Sequence, residues 1–288
     1  MSRLTRFLES AYAPLITHGL LASTLAAEYW MILRLPLWAA LAPCVLLQHR
    51  IGILLHDYVH GSPFRRYRHS LWVLTAVDAL LLNFGAFEVF RGTHLAHHRW
   101  MNTPQDPGFW VEPPDPPKSA LIPALWRFFQ TLRGDVSLYF RFLRQPNHPH
   151  YTYVKGFRVA LAFGLSAAWL VLLAMTGLDR VAVALVVIQV CLIPPLVLRA
   201  AIEHSSWHGD SRFANEYHVY LPLMNRNRHV HHHLEPARPW YLLRFVTPDP
   251  LPPLSYWKHW RHVFIARDYT LMQPLRGSEK LPEKQGVV

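Results

Sequence analysis

The sequence predicts an all-α integral membrane protein in which four transmembrane helices form two hairpins. Of its 288 residues, 51% are hydrophobic and 16% are charged. The apolar residues gather into long runs that a soluble core does not require. Three histidine-rich motifs follow these runs, so polar chemistry is expected at one face of a bilayer.

Four apolar runs have the length of a transmembrane helix, which needs about 20 apolar residues. The predicted spans cover residues 11–33, 35–55, 159–178 and 181–198. The connection between the first two spans is very short, and so is the connection between the last two. Each pair is therefore predicted to form a helical hairpin.

A fifth apolar run, from Ser70 to Phe90, is long enough to cross but carries Asp78, Asn83 and Glu88. A full crossing would leave the histidine motifs before and after it on opposite sides of the membrane, where they could not share a metal site. We therefore predict that this run is re-entrant, or packs as a hairpin partly within the membrane.

The distribution of Lys and Arg predicts the orientation. Basic residues are frequent outside the spans, whereas each short hairpin loop carries a single one, Arg34 or Arg180. Because positive residues favour the cytoplasmic side, the histidine motifs are predicted to face the cytoplasm of a multi-pass protein in a bacterial inner membrane. Residues 56–158 and 199–265 would form a helical cytoplasmic cap.

The domain organisation is predicted to be simple. Residues 1–265 are expected to form one domain, followed by a C-terminal tail over 266–288. Within the cap, residues 125–143 alternate aromatic and apolar residues with arginines. This pattern predicts either an interfacial helix lying on the anionic leaflet or an amphipathic helix packed on the cap.

Three histidine boxes carry the candidate chemistry, one of the form H-x-x-x-H and two of the form H-x-x-H-H. Residues at i, i+3 and i+4 share one helix face, so each box directs two or three imidazoles at one point. The boxes supply eight candidate metal ligands: His56, His60, His94, His97, His98, His229, His232 and His233.

A ninth candidate ligand is His204, in the Glu-His segment that leaves the fourth span; His208 and His231 are alternatives to it. Nine imidazoles exceed the needs of one metal, because a closed zinc site takes four ligands and a catalytic one takes three plus water. The set suits two metals with four or five nitrogen ligands each. Imidazole accommodates zinc, copper, iron and nickel.

Four polar residues near the boxes are candidates to support the ligands. Asp57, Glu203 and Asn225 are predicted either to fix imidazole tautomers through hydrogen bonds or to serve as solvated or helix-capping residues. Asp106, in an Asn-Thr-Pro-Gln-Asp-Pro stretch, is either such a supporting residue or a turn residue, and we predict a turn residue there.

The boxes and the residues around them resemble the membrane fatty acid desaturase and hydroxylase superfamily. The stretch from Arg91 to Pro107, R-G-T-H-L-A-H-H-R-W-M-N-T-P-Q-D-P, is similar to the family's text, as is H-H-L-E-P-A-R-P-W-Y-L-L from His232. The resemblance implies a di-iron centre that is held by the nine histidines and activates O2. It also implies a separate electron donor, such as a ferredoxin, a rubredoxin or a cytochrome b5, because the sequence contains no fused heme motif.

The resemblance implies desaturation of a fatty acyl chain, with hydroxylation or ketolation of a lipid, alkane, carotenoid or other terpenoid as the alternative. A zinc-dependent membrane hydrolase is a remote alternative, since Asp57 stands where the H-E-x-x-H motif has Glu. A metal carrier or heme protein would need polar groups or paired histidines within the spans. Nucleic-acid binding is not expected despite the net charge of +11, because the basic residues form no recognisable module.

Overall fold

The computed structural model describes residues 13–62, 67–100, 106–107, 123–203 and 229–245, and all regular secondary structure within them is helical. The eight α-helices of these ranges are α1 (Ala13–Arg34), α2 (Leu37–Val59), α3 (Tyr67–Leu80), α4 (Ala86–Trp100), α5 (Pro123–Arg144), α6 (Gly156–Met175), α7 (Asp179–Glu203) and α8 (His229–Leu234). Short 3-10 helices cover Pro149–Tyr151 and Trp240–Phe245. The prediction of an all-α fold is confirmed for this part of the chain.

Helix α2 lies at the centre of the fold. It packs against α1, α3, α4 and α7, and the Trp240–Phe245 turn also contacts it. The core around it consists of aliphatic side chains, including the fully buried Ile51, Leu54 and Leu185. The predicted hairpins agree with these helices: Leu35 and Pro36 connect α1 to α2, and Gly177, with a φ of 70°, ends α6 just before α7.

Two of the described helices, α2 and α6, are long and apolar enough to cross a membrane. On α6 the apolar side chains are strongly exposed, with Phe163 at 51% and Met175 at 80%. Contiguous exposed apolar surface of this kind marks a contact with lipid or with another protein. Together with the composition, it indicates a membrane protein. Helices α1 and α7 coincide in position with the other two predicted spans.

The apolar run from Ser70 to Phe90 forms α3, a turn over residues 81–85, and the first part of α4. With 14 residues, α3 is only about 21 Å long, short of the roughly 30 Å of a bilayer core. Helix α4 then runs back toward the side on which α3 began. The run is therefore a helical hairpin, one of the two forms that the sequence predicts.

Side chains from several helices bind the backbone of this turn. The Asp78 carboxylate accepts hydrogen bonds from the backbone N–H groups of Gly85 (2.8 Å) and Phe87 (3.0 Å). The Phe84 carbonyl accepts one from the Tyr139 hydroxyl at 2.7 Å. Groups of the protein thus satisfy the polar backbone atoms of the turn, as buried backbone requires.

The turn is also tightly packed. Leu82 and Phe84 have positive φ angles of 55° and 52°, a conformation that bulky residues rarely adopt. Gly85 has a φ of 88°, and a Cβ atom added there would lie 2.8 Å from the Val159 side chain. A side chain at position 85 would thus clash with α6. The turn fixes the direction in which α4 leaves it, and α4 carries the second histidine box.

Helix α5 packs against α4 and α7 but also exposes large apolar residues. Leu125, Phe129 and Leu143 are each about half exposed, and Arg133 and Arg141 are exposed on the same helix. These contacts are compatible with both predictions for this helix, an interfacial helix on the leaflet and an amphipathic helix packed on the cap. One face of α5 packs on the protein, while other positions present apolar and basic side chains outward. Its placement on a leaflet stays a prediction.

Candidate metal centre

Three helix ends position the histidine boxes. Box one occupies the last turns of α2, where His56 lies within the helix and His60 follows as its C-cap. Box two lies in the last two turns of α4, and box three forms α8. Because the α3–α4 hairpin returns to the side where α2 ends, boxes one and two meet without the chain crossing between them.

A buried ion pair holds α4 in place one turn before box two. The Arg91 guanidinium contacts both Glu88 oxygens, at 2.6 and 2.8 Å. Glu88 also accepts the backbone N–H of Lys155 at 2.9 Å, and Arg91 donates to the Tyr153 carbonyl. With these extra hydrogen bonds, burying the two charges is tolerated. The pair joins α4 to the segment that precedes α6.

Five histidines from all three boxes converge on one point, and we call them the five-histidine cluster. They are His56, His60, His94, His98 and His232, and their ligand nitrogens all lie within 4.8 Å of one another. His94 lies at the centre, with its Nε2 atom 2.7 to 3.1 Å from the Nε2 atoms of three other members. The Nε2 atoms of His98 and His232 are 2.9 Å apart.

This spacing fits a metal ion better than a hydrogen-bond network. A neutral imidazole has one N–H and one acceptor nitrogen, so one nitrogen cannot satisfy three neighbours at once. In an octahedral site with metal–nitrogen bonds of about 2.1 Å, adjacent donors are about 3.0 Å apart. The shortest nitrogen–nitrogen distances in the cluster, 2.7 to 3.1 Å, match that value.

The surroundings keep the central ligand neutral. Burial lowers the pKa of His94 well below its ordinary value, and the neighbouring imidazoles of the cluster lower it further. A neutral imidazole has a free electron pair, and this is the form that binds a metal. His94 is thus able to bind a cation at neutral pH.

The other three box histidines, His97, His229 and His233, form a three-histidine cluster beside the first. The Nε2 atoms of His229 and His233 are 3.1 Å apart, and the His97 and His233 ring centroids are 5.2 Å apart. The two clusters approach most closely at His233 of the three-histidine cluster and His98 of the five-histidine cluster. The ring centroids of these two residues are 4.4 Å apart. All eight box histidines therefore meet in one region.

Asp106 corrects one interpretation of the sequence. It is almost fully buried, and both carboxylate oxygens lie 2.8 Å from the Nδ1 atom of His97. It is therefore a partner of a box histidine, and the choice of a simple turn residue was wrong. A carboxylate on Nδ1 fixes the tautomer that leaves Nε2 available to a metal.

Asp57 lies within box one and contacts the segment that follows box three. Its Oδ2 atom accepts the backbone N–H of Trp240 at 3.3 Å. The residue thus links the end of α2 to the turn that follows α8. This hydrogen bond holds box one against the segment that follows box three, and the role of Asp57 in fixing an imidazole tautomer stays a prediction.

Some of the remaining candidates lie outside the residues that the structure describes. His204, its alternative His208, and Asn225 lie outside the ranges that the structure describes, as does the predicted tail over 266–288. Glu203 is the last residue of α7, next to His204 in the chain. His231, the other alternative, is fully buried within α8.

Comparison with known proteins gives one finding. A family model described as Fatty acid desaturase matches residues 36–265, which is most of the chain and includes all three boxes. No significant match to a curated protein or to a solved structure was found.

Proposed function

The chain belongs to the fatty acid desaturase family, and from this premise we propose that it is an O2-dependent di-iron enzyme that desaturates a fatty acyl chain. Family membership and the histidine cluster together support an oxidoreductase of the desaturase or hydroxylase type. The observation that carries the proposal is the convergence of five imidazoles from three separate boxes within 4.8 Å. Buried imidazoles without a metal would gain little from such mutual contact.

The ligand set is divided between two metals in this proposal. The five-histidine cluster would hold one ion, and the three-histidine cluster, completed by His204, would hold the other. Two irons bound there would supply an O2-derived oxidant able to remove hydrogen from an unactivated methylene, which redox-silent zinc cannot supply. The protein contributes ligand geometry, through Asp106 on His97 and through the Asp57 link between boxes one and three.

The reaction balances only with an external reductant. Desaturation removes two hydrogen atoms from adjacent methylenes, and one O2 is reduced to two water molecules. The substrate provides two of the four electrons, so two electrons and two protons must come from elsewhere. A separate electron-donor protein of the ferredoxin, rubredoxin or cytochrome b5 type is therefore part of the proposal.

The substrate would approach along apolar surface beside the metals. Phe90 lies one turn before His94 on α4, and the two rings stack with centroids 5.3 Å apart. Its side chain is 41% exposed, although the adjacent Val89 and Arg91 are buried. An exposed aromatic ring next to a ligand suits contact with a methylene chain. We assign Phe90 to the positioning of that chain.

We further propose that α1, α2, α6 and α7 all cross a bacterial inner membrane, with the boxes on the cytoplasmic side. The positions of the four helices and the scarcity of basic residues in the two hairpin loops support this topology. It places the metals at the level where an acyl chain in the inner leaflet can reach them.

Lipid analysis of a bacterial host expressing the protein tests the function. We expect a new lipid that has lost two hydrogens, absent from a host expressing the His97→Ala, His98→Ala variant. A product that has gained one oxygen, or gained one oxygen and lost two hydrogens, would identify a hydroxylase or a ketolase instead. Zinc in the purified protein together with unchanged lipids would refute the proposal.

A further inference from the structure

A basic surface lies around the end of α4, next to the metal centre. We call it the basic patch and define it by four exposed side chains: Arg99, Arg141, Arg144 and Lys155. The segment between α5 and α6, which includes Lys155, contacts both of the helices that carry the three arginines. Tyr151 of this segment packs on Phe142 with ring centroids 5.5 Å apart. Arg99 reaches the same segment, because its Nη1 atom donates to the Tyr153 hydroxyl at 2.8 Å.

Aromatic side chains connect the patch to the histidines. The Arg99 guanidinium lies 5.5 Å from the ring centroid of Trp100, and the rings of Trp100 and Tyr153 are 6.1 Å apart. Trp100 follows His97 by three residues on α4, so the two side chains lie on the same side of the helix. The partly buried indole of Trp100 therefore lies between the patch and His97, a member of the three-histidine cluster.

In the proposed topology, the end of α4 lies on the cytoplasmic side of the membrane. Gly92 lies directly against Val154, just before α6 begins, and a Cβ atom at position 92 would clash with it. The eight residues from Thr93 to Trp100 therefore extend about 12 Å past this contact. Arg99 and Trp100 lie at the tip, which faces the aqueous phase in the proposed topology.

Among the described residues, the carboxylates on and just after α4 are already paired. Glu88 is buried and paired with Arg91, while Asp106 is buried against His97. The four side chains that define the patch therefore present positive charge outward. A positive surface of this kind steers a negatively charged partner and increases its association rate.

We propose that the basic patch docks a small acidic one-electron carrier protein, which delivers electrons to the metal centre beside Trp100. The inference rests on the proposed function, whose balance requires two external electrons in each turnover. Two reduced carriers would dock in succession, and each would leave oxidised by one electron. An anionic lipid surface fits Arg99 less well, because in the proposed topology the tip of α4 lies beyond the start of α6.

The test uses the full-length protein in nanodiscs of zwitterionic lipid and a reduced plant-type ferredoxin as the probe. The Arg99→Glu, Lys155→Glu variant should weaken ferredoxin binding and raise the KM for ferredoxin about tenfold or more at low salt. Arg133→Glu is the matched control: Arg133 is exposed on α5 two turns before Arg141, and its reversal should leave both quantities near wild type.

Two further measurements distinguish weaker docking of the carrier from damage to the metal centre. Zero-length carbodiimide cross-linking should join ferredoxin carboxylates to Lys155, which depends on docking and not on turnover. Rates driven by reduced methyl viologen, a small cation, report on the metal centre without the carrier. Absence of viologen-driven product from the wild type would refute the proposed function, whereas cross-linking would still report on docking.

The docking proposal fails if charge reversal in the patch leaves ferredoxin binding unchanged. It also fails if Arg133→Glu weakens binding equally, because general charge would then explain the effect. A change confined to nanodiscs that contain anionic lipid would identify a surface for lipid headgroups and would likewise overturn it.

Discussion

The two histidine clusters lie side by side but are assembled differently. The five-histidine cluster takes ligands from α2, α4 and α8, so it exists only when three separate elements pack together. The three-histidine cluster takes its described members from α4 and α8 alone, and Asp106 orients one of them. The first cluster should therefore respond to the packing of α2, and the second to Asp106 and the ninth histidine.

His94→Ala should have the largest effect, because His94 Nε2 is the shared neighbour of three other ligand nitrogens. We expect loss of iron from the five-histidine cluster and a fall in product of more than about 100-fold, beyond what loss of a supporting hydrogen bond usually costs. The iron content of the purified protein and the rate of product formation are the two measurements. His148→Ala, an exposed histidine outside the boxes, is the control, and wild-type iron in His94→Ala would contradict the assignment.

His204→Ala should remove iron from the three-histidine cluster only. Without it this cluster would retain three imidazoles, fewer than the four or five proposed. The expected result is the loss of about half of the bound iron and of nearly all activity. His208→Ala serves as the comparison. If His208→Ala, and not His204→Ala, loses iron, the ninth ligand has been assigned to the wrong residue.

Asp106→Ala should weaken the same cluster less severely, because it removes the partner of His97 and not a ligand. Such losses typically cost 10- to 100-fold in metal affinity or activity. Titration with an iron chelator should show one weakened site and one unchanged site. Equal weakening of both sites would show that Asp106 supports the whole cap instead of one cluster.

Asp78→Ala should affect both clusters alike, since it loosens the turn from which α4 starts. The variant loses two buried hydrogen bonds to backbone N–H groups, each with an expected cost of about 1–3 kcal/mol when the donor stays buried. A lower unfolding temperature in nanodiscs is the measurement, with the exposed Asp179→Ala as control. An unchanged unfolding temperature would mean that the turn does not depend on the hydrogen bonds of Asp78.

Phe90→Ala should have the smallest effect on rate and a visible effect on the product. Removing the ring that stacks on His94 leaves the metals in place but allows the acyl chain to shift. We expect a mixture of double-bond positions by mass spectrometry of derivatised lipids. Phe157 is also exposed, and Phe157→Ala should give the wild-type double-bond position. An unchanged double-bond position in Phe90→Ala would show that Phe90 does not position the substrate.

The sequence predicted the helical fold because long apolar runs separated by short connections leave few other arrangements. One helix continues past its predicted span. Helix α2 extends to Val59, whereas its span was predicted to end at residue 55, since the helix continues beyond the apolar run into box one. The hairpin of α3 and α4 was predicted only because the boxes had to share a site, and its turn depends on contacts from distant helices.

The box histidines could be identified from the sequence because their spacing matches the helix repeat. Their partners could not be identified in the same way. Asp57 bonds to Trp240, which lies far along the chain, and no local pattern reports such a contact. Asp106 had one available signal, a carboxylate closely following a histidine box, but its proline-rich surroundings favoured the interpretation as a turn.

The most direct test of two unlike clusters is Mössbauer spectroscopy of the purified protein loaded with iron-57, with iron per chain measured on the same sample. We predict two irons per chain in two distinct environments, one of which disappears in His94→Ala and the other in His204→Ala. A single iron environment in the wild type, or the loss of both signals in each variant, would contradict it.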